Sequence, residues 1–158
     1  MQVQLSRRTA VRLLTLAAVA LPLALTAPGS TGFATAQTTP LAIKGYDPVA
    51  YFTAGKPTPG LAEFEHVWDE HRYRFASAAN RDLFKAEPAR YAPQFGNFCA
   101  MALAKGMIVT ADPENWLISD GKLYVFGSPA PAGPALFQKD LAGNISKAND
   151  NRPILPKK

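Results

Sequence analysis

The chain holds one cysteine and two histidines, so thiol or soft-metal chemistry must be built from very few side chains. Cys99 stands behind a glycine-containing aromatic loop, in the stretch YAPQFGNFCAMALAKG from Tyr91 to Gly106. Gly96-Asn97 interrupts the backbone, and Asn97 suits the cap of a helix whose first turn carries Phe98 and Cys99. Ala100, Met101, Ala102, Leu103 and Ala104 favour helix, and Gly106 is a natural stop. A thiol in that first turn lies near the positive end of the helix dipole, which favours thiolate. Thiolate and imidazole together suit Cu(I) or Zn(II), which makes His66 the companion to consider. Tyr46, Asp47 and Tyr51 add phenol and carboxyl oxygens as supporting groups. The competing reading makes Cys99 a small buried apolar residue.

Two hairpins and several short helices must position these groups. EFEHVWDEHRYRFA, Glu63 to Ala76, alternates as a hairpin. With Glu70-His71 as its tight turn, Trp68 faces Tyr73, Val67 faces Arg74 and His66 faces Phe75. Phe64, His66, Trp68, Tyr73 and Phe75 then share one face, and Glu65, Val67, Arg72 and Arg74 the other. His66 falls on the apolar side and His71 at the exposed tip, so the two histidines do not form a ligand pair. A second hairpin, Trp116 to Ser119 and Lys122 to Phe126, turns at Asp120-Gly121. It pairs Ile118 with Leu123, and both of its faces are apolar, which predicts burial on both sides.

The remaining elements are shorter. Asp47-Pro48 opens a helical turn, and Ser77 caps a helix over Ala78 to Ala86 that turns Leu83 and Phe84 inward and ends before Pro88. Met107 to Thr110 reads as a short strand, Asp112-Pro113 as a turn, and Gly127 to Pro134 as a loop. Leu136 to Ala148 reads as a helix broken around Gly143. The pattern predicts one α+β domain over residues 42–154, with two antiparallel hairpins and the Cys99 helix packed between them.

Ahead of that domain, SRRTAVRLL places Arg7-Arg8 before an apolar stretch, Leu13 to Ala27, of signal-peptide length. Ala34-Thr35-Ala36 supplies small residues that place cleavage between Ala36 and Gln37. Residues 1–36 thus read as a signal of twin-arginine type, with an ordinary secretory signal as runner-up. Residues 37–41 form a polar tail and 155–158 a basic one. The expected location is the periplasm, with no membrane anchor after cleavage. Three of the 17 Lys and Arg lie in the leader and all 12 acids beyond it. The body's remaining excess of two positive charges is too small and scattered to indicate nucleic acid.

GYDPVAYF, then H-x-W followed by YRFAS, then the run N-R-D-x-F-K-A-x-P-x-x-Y-A-P into FGNFCA, together resemble the YHS domain. The likeness extends from about Ala42 to Asp150 and is narrowest to the small exported bacterial branch of that family. The resemblance implies a treble-clef-like fold related to copper and heavy-metal handling modules, whose metal-binding members carry additional cysteines. Here Ala50 follows Asp47-Pro48-Val49, Ala76 stands between Phe75 and Ser77, and Ala79 and Asn80 occupy the nearby positions. A cysteine-rich zinc or copper site of the usual kind has no ligands in these places.

The reading that results is an exported, non-catalytic binding module for a soft metal ion such as copper, or for a metal-bearing ligand. Cys99 and His66 would hold it, with Tyr46, Asp47 and Tyr51 in support. Its partner would be a small ligand or another periplasmic protein. The alternative is a structural or protein-interaction domain with Cys99 as packing, and the third a single-cysteine thiol-redox protein. A dithiol oxidoreductase lacks its second thiol within one chain. The motifs of serine and zinc hydrolases are absent from the sequence.

Overall fold

Alternating residues form two antiparallel hairpins, β1 (Leu61–Trp68) with β2 (His71–Phe75) and β3 (Asp112–Ser119) with β4 (Lys122–Phe126). The computed structural model describes residues 39–127 and 132–154. The two separate two-stranded sheets and the short helices around them make an α+β fold. The helices are α1 (Ala50–Thr53), α2 (Ala78–Ala86), α3 (Pro88–Tyr91), α4 (Ala100–Ala104), α5 (Ala132–Lys139) and α6 (Leu141–Asp150). The chain divides between Ala36 and Gln37, and the described residues belong to the second unit. Arg7-Arg8, the apolar stretch, the Ala34-Thr35-Ala36 site and the basic tail lie outside the described residues.

The second hairpin follows its turn signal. Asp120 (φ 50°) and Gly121 (φ 69°) both adopt left-handed backbone, the twist that suits a two-residue connection. Ile118 pairs with Leu123, Leu117 with Tyr124 and Trp116 with Val125. Leu123 and Val125 pack into one core with Tyr51, Phe75 and Phe84, while Tyr124 and Phe126 pack into a second with Phe95, Leu103 and Phe137. The hairpin is therefore a wall between two cores, and β4 is buried on both faces. Each buried phenyl or branched aliphatic side chain contributes roughly 1.5–3 kcal/mol.

In the first hairpin the faces agree with the alternation, but the register differs. The turn is Asp69-Glu70, with φ of 45° and 61°, and not Glu70-His71. Trp68 pairs with His71, Val67 with Arg72 and His66 with Tyr73. The shift amounts to two residues in the pairing, which preserves every side chain's face. It also moves His71 from the tip into β2. Neither candidate pair carries a glycine, so alternation alone does not choose between them, and both registers put the same residues on the same faces.

Other differences have local causes. Asn97 does not cap α4. Its Oδ1 accepts the Ile43 N–H at 2.6 Å and its Nδ2 donates to the Leu41 carbonyl at 3.2 Å. That pair of bonds holds Ile43, a β-branched residue, in left-handed backbone (φ 42°, ψ 45°). Met107 to Thr110 forms no strand, only single pairings of Phe98 with Thr110 and of Cys99 with Val109. Asp112-Pro113 belongs to β3, not to a turn. Leu83 is exposed while Phe84 is fully buried. The C-terminal helix breaks at Asp140, whose side chain caps α6 through the Gly143 N–H, and α5 already begins at Ala132. Finally, α4 packs against β4, α5 and α6, on one side of the wall and not between the two hairpins.

One buried carboxylate joins the first core. Asp47 Oδ1 accepts the N–H groups of Val49 (2.8 Å) and Ala50 (3.3 Å), which starts α1. Its Oδ2 accepts the Ala76 N–H (2.8 Å) at the end of β2 and the Asn80 side-chain amide (2.6 Å) from α2. Ser77 caps α2 through the Asn80 N–H at 3.2 Å, as its sequence predicts.

The closest backbone approach predicts a stability test. A Cβ on Gly60 would sit 2.5 Å from the Arg74 carbonyl carbon, whereas a Cβ on Gly55 (φ 64°) meets nothing within 4 Å. Gly60→Ala should cost more than about 2 kcal/mol through forced displacement of β2. Gly55→Ala should cost only the left-handed backbone penalty of about 1 kcal/mol. Urea denaturation measures both, and equal costs would contradict this packing.

Candidate functional site

The chemically suggestive residues fall into three places. Cys99 is the N-cap of α4, one position before the first turn. Its Sγ accepts the Ala102 N–H at 3.4 Å, and its own N–H donates to the Val109 carbonyl at 2.8 Å. The residue is only 8% exposed and packs in the second core with Phe95, Leu103 and Phe126. The thiol thus replaces the hydroxyl or amide that usually caps a helix.

His66 lies with the first core. Its half-buried ring meets the edge of Phe84, with centroids 6.3 Å apart. Burial, then Lys85 and Arg81, holds it below the ordinary histidine range. As pH falls through about 6.5 the unfolded chain takes up this proton before the folded one, so acidification withdraws stability that is present at neutral pH. Cys99 and His66 therefore serve different cores, and the structure does not bring them together. Among the described residues, no three His, Cys, Asp or Glu side chains gather as a metal site.

The supporting oxygens hold scaffold. Tyr46 donates its hydroxyl to Glu114 Oε1 at 3.1 Å, and Tyr51 donates to the Pro113 carbonyl at 2.9 Å. Both phenols are held above their ordinary range, Tyr46 chiefly by the Glu114 hydrogen bond and Tyr51 chiefly by burial. Asp47 has both oxygens filled by the four N–H groups described above. These three residues anchor α1 and the start of β3.

A concave site lies elsewhere, at the turn end of the first hairpin. The cleft has a volume of about 300 Å³. Trp68, Asp69, His71 and Tyr73 from the hairpin form one wall, and the loop from Gln94 to Phe98, with Arg152, forms the other. The loop is pinned by the Gln94 N–H, which donates to the Leu123 carbonyl at 2.9 Å, and by two tight turns closed on Pro93 and Phe95. Gly96 (φ 58°) provides the left-handed residue this path requires.

The polar groups of the cleft have defined roles. His71 Nδ1 lies 2.9 Å from the Asp69 carbonyl. A carbonyl only accepts, so Nδ1 carries the hydrogen and, in the neutral ring, Nε2 keeps its lone pair. That edge of the ring lies beside Gly96. Arg152 donates to the Gln94 carbonyl at 2.6 Å, and its guanidinium carbon stands 5.3 Å from the Phe95 ring centroid. Tyr73 is almost wholly buried, and burial, then Asp69, holds its hydroxyl protonated well above the ordinary range.

The sequence pattern missed this cleft because its turn was set one residue late. That register placed His71 at an exposed tip, opposite nothing. Gly96 was visible as a break, yet nothing local joins Tyr91 to Phe98 to the tip of β1 and β2. Arg152 enters from the far end of the chain.

The buried cap gives Cys99 a testable signature. Its thiol should resist a bulky disulfide reagent in the native protein and react on denaturation. Cys99→Ala should cost about 1 kcal/mol for the lost cap, and Cys99→Ser should recover part of it. Rapid native labelling would show an accessible thiol and contradict the packing. Compared with known proteins, the chain matches no family model, no curated protein and no solved structure, so the functional reading rests on this geometry.

Proposed function

We propose that this chain is an exported, non-catalytic binding module whose ligand seat is the cleft between the first hairpin and the Gln94–Phe98 loop. One observation carries the reading: Trp68, Tyr73, Phe95 and Phe98 converge there with His71, Gln94 and Arg152 around about 300 Å³. Small-molecule sites are typically concave, from roughly 300 Å³ upward, and combine apolar walls with placed polar groups; this cleft combines aromatic walls with an exposed lining that is more polar than apolar. The leader motif supports export, and the chain's division between Ala36 and Gln37 coincides with the small-residue cleavage site. Among the described residues, no helix is long and apolar enough to cross a membrane.

The YHS-like motifs fit this reading as scaffold. Asp47 of the GYDPV segment, Ala76 of YRFAS and Asn80 of the N-R-D run meet in one hydrogen-bond cluster. Asn97 of FGNFCA ties the loop to Leu41 and Ile43. A soft-metal module centred on Cys99 remains the alternative, and one experiment separates the two. Titrating labelled protein with a set of single-ring aromatic compounds should shift the amide signals of His71, Gly96 and Phe98, while Cu(I) and Zn(II) leave Cys99 and Ala102 unmoved. Metal-dependent shifts at Cys99 and Ala102, with the cleft silent to every organic probe, would overturn this proposal in favour of the metal module.

A further inference from the structure

The cleft's composition narrows the chemistry of what it takes. An apolar cavity of about 150 Å³ accommodates benzene, so about 300 Å³ has room for one ring with a polar substituent. The ring would meet Trp68, Phe95 and Phe98, whose faces and edges favour offset or edge-on aromatic contact. A substituent would meet Arg152. Its side chain is fixed twice, by the Gln94 carbonyl and by the Phe95 ring, and a guanidinium has five N–H donors. Among the described residues, Arg152 has no carboxylate within ion-pair distance. A planar, anchored guanidinium with unused donors matches a carboxylate better than a point charge would.

The opposite wall offers a second independent feature. Tyr73 is 2% exposed and lines the cleft, and its hydroxyl has no hydrogen-bond partner among the described residues. The hydroxyl is also not sealed away, because the only unpartnered side-chain polar atom fully shut from solvent among the described residues is Arg72 Nε. It therefore keeps a trace of solvent contact, on a residue that lines the cleft. On the same strand, with its ring centroid 6.4 Å from that of Tyr73, His71 Nε2 offers an acceptor lone pair in the neutral ring, since Nδ1 is committed to the Asp69 carbonyl. Buried polar groups left without partners in the protein are completed by water or ligand.

We infer that the cleft binds a single-ring aromatic carboxylate, the ring lying among Trp68, Phe95 and Phe98 and the carboxylate on Arg152. This inference rests on the cleft being the ligand seat. Tyr73 and His71 then meet the ring's other polar substituents, one as donor and one as acceptor. Asp69 also lines the cleft and favours cations, so the sign of the preferred ligand is the sharpest discriminator.

The test uses protein exported and processed by its own leader, with benzoate, benzyl alcohol and benzylamine as probes and amide chemical shifts as the readout. Benzoate should bind at least tenfold more tightly than the other two, with shifts at Gly96, Phe98 and Arg152. Arg152→Gln should weaken benzoate about tenfold while leaving benzyl alcohol unchanged, and signals remote from the cleft should report an intact fold. Equal affinities, tighter binding of benzylamine, or indifference of benzoate to Arg152→Gln would overturn the carboxylate assignment while leaving the cleft as the seat. If none of the three probes moves the cleft signals, the inference falls together with the reading beneath it.

Discussion

The fold depends on satisfying the buried carboxylate of Asp47. A carboxyl group at zero exposure is unfavourable unless its oxygens find donors, and the uncompensated cost of a buried charge runs to several kcal/mol. Four N–H groups meet it, from Val49, Ala50, Ala76 and Asn80. They come from three segments that are distant in sequence: the start of α1, the end of β2 and the first turn of α2. Each hydrogen bond to a charged acceptor contributes about 1.5–3 kcal/mol. No one of the segments can drift without leaving either the carboxylate or its own N–H unpaired. Asp47 therefore fixes where β2 ends, and through β2 it fixes where His71 and Tyr73 stand.

Asn97 plays the corresponding part on the other side of the cleft. It bonds to Leu41 and Ile43 through its side chain, and its carbonyl accepts the Ala111 N–H at 2.8 Å. The loop that carries Phe95 and Gly96 is thereby tied to the N-terminal segment. That segment also runs beside β2, where the Arg72 N–H donates to the Pro40 carbonyl at 2.9 Å. Both cleft walls are thus referred to the same short stretch, residues 40–47. Asp47, which the sequence offers as a supporting oxygen ligand, is instead a fastener of this frame, together with Asn80 and Asn97. The residues that face the cleft sit beside them.

The sequence made the local structure legible wherever one strong signal stood alone. Asp120-Gly121 set the second hairpin's register to the residue, and Ser77 set the start of α2. The two apolar faces of Trp116 to Phe126 announced a strand pair that packs on both sides, although only β4 is buried and β3 is half-buried. Legibility failed where two signals competed or where tertiary contacts decided. Neither Asp69-Glu70 nor Glu70-His71 carries a glycine, so the first turn stands one residue earlier than the alternation suggests, although parity preserves its faces. Asn97 has the side chain of a helix cap but finds better partners in Ile43 and Leu41, and Cys99 caps in its place. Only the aromatic content of the cleft was visible in advance. Its assembly requires residues 68–73, 94–98 and 152 to meet, and no periodicity encodes that meeting.

Native-state hydrogen exchange at Val49 and Ala76 tests the central claim most directly, because their N–H groups are held by opposite oxygens of Asp47. If the carboxylate is the common fastener, both amides open only with the whole domain, and their exchange free energies equal the global unfolding free energy from denaturant titration. Exchange of Ala76 through local opening, several kcal/mol below that value while Val49 remains protected, would show that β2 is anchored by something else and would contradict the account.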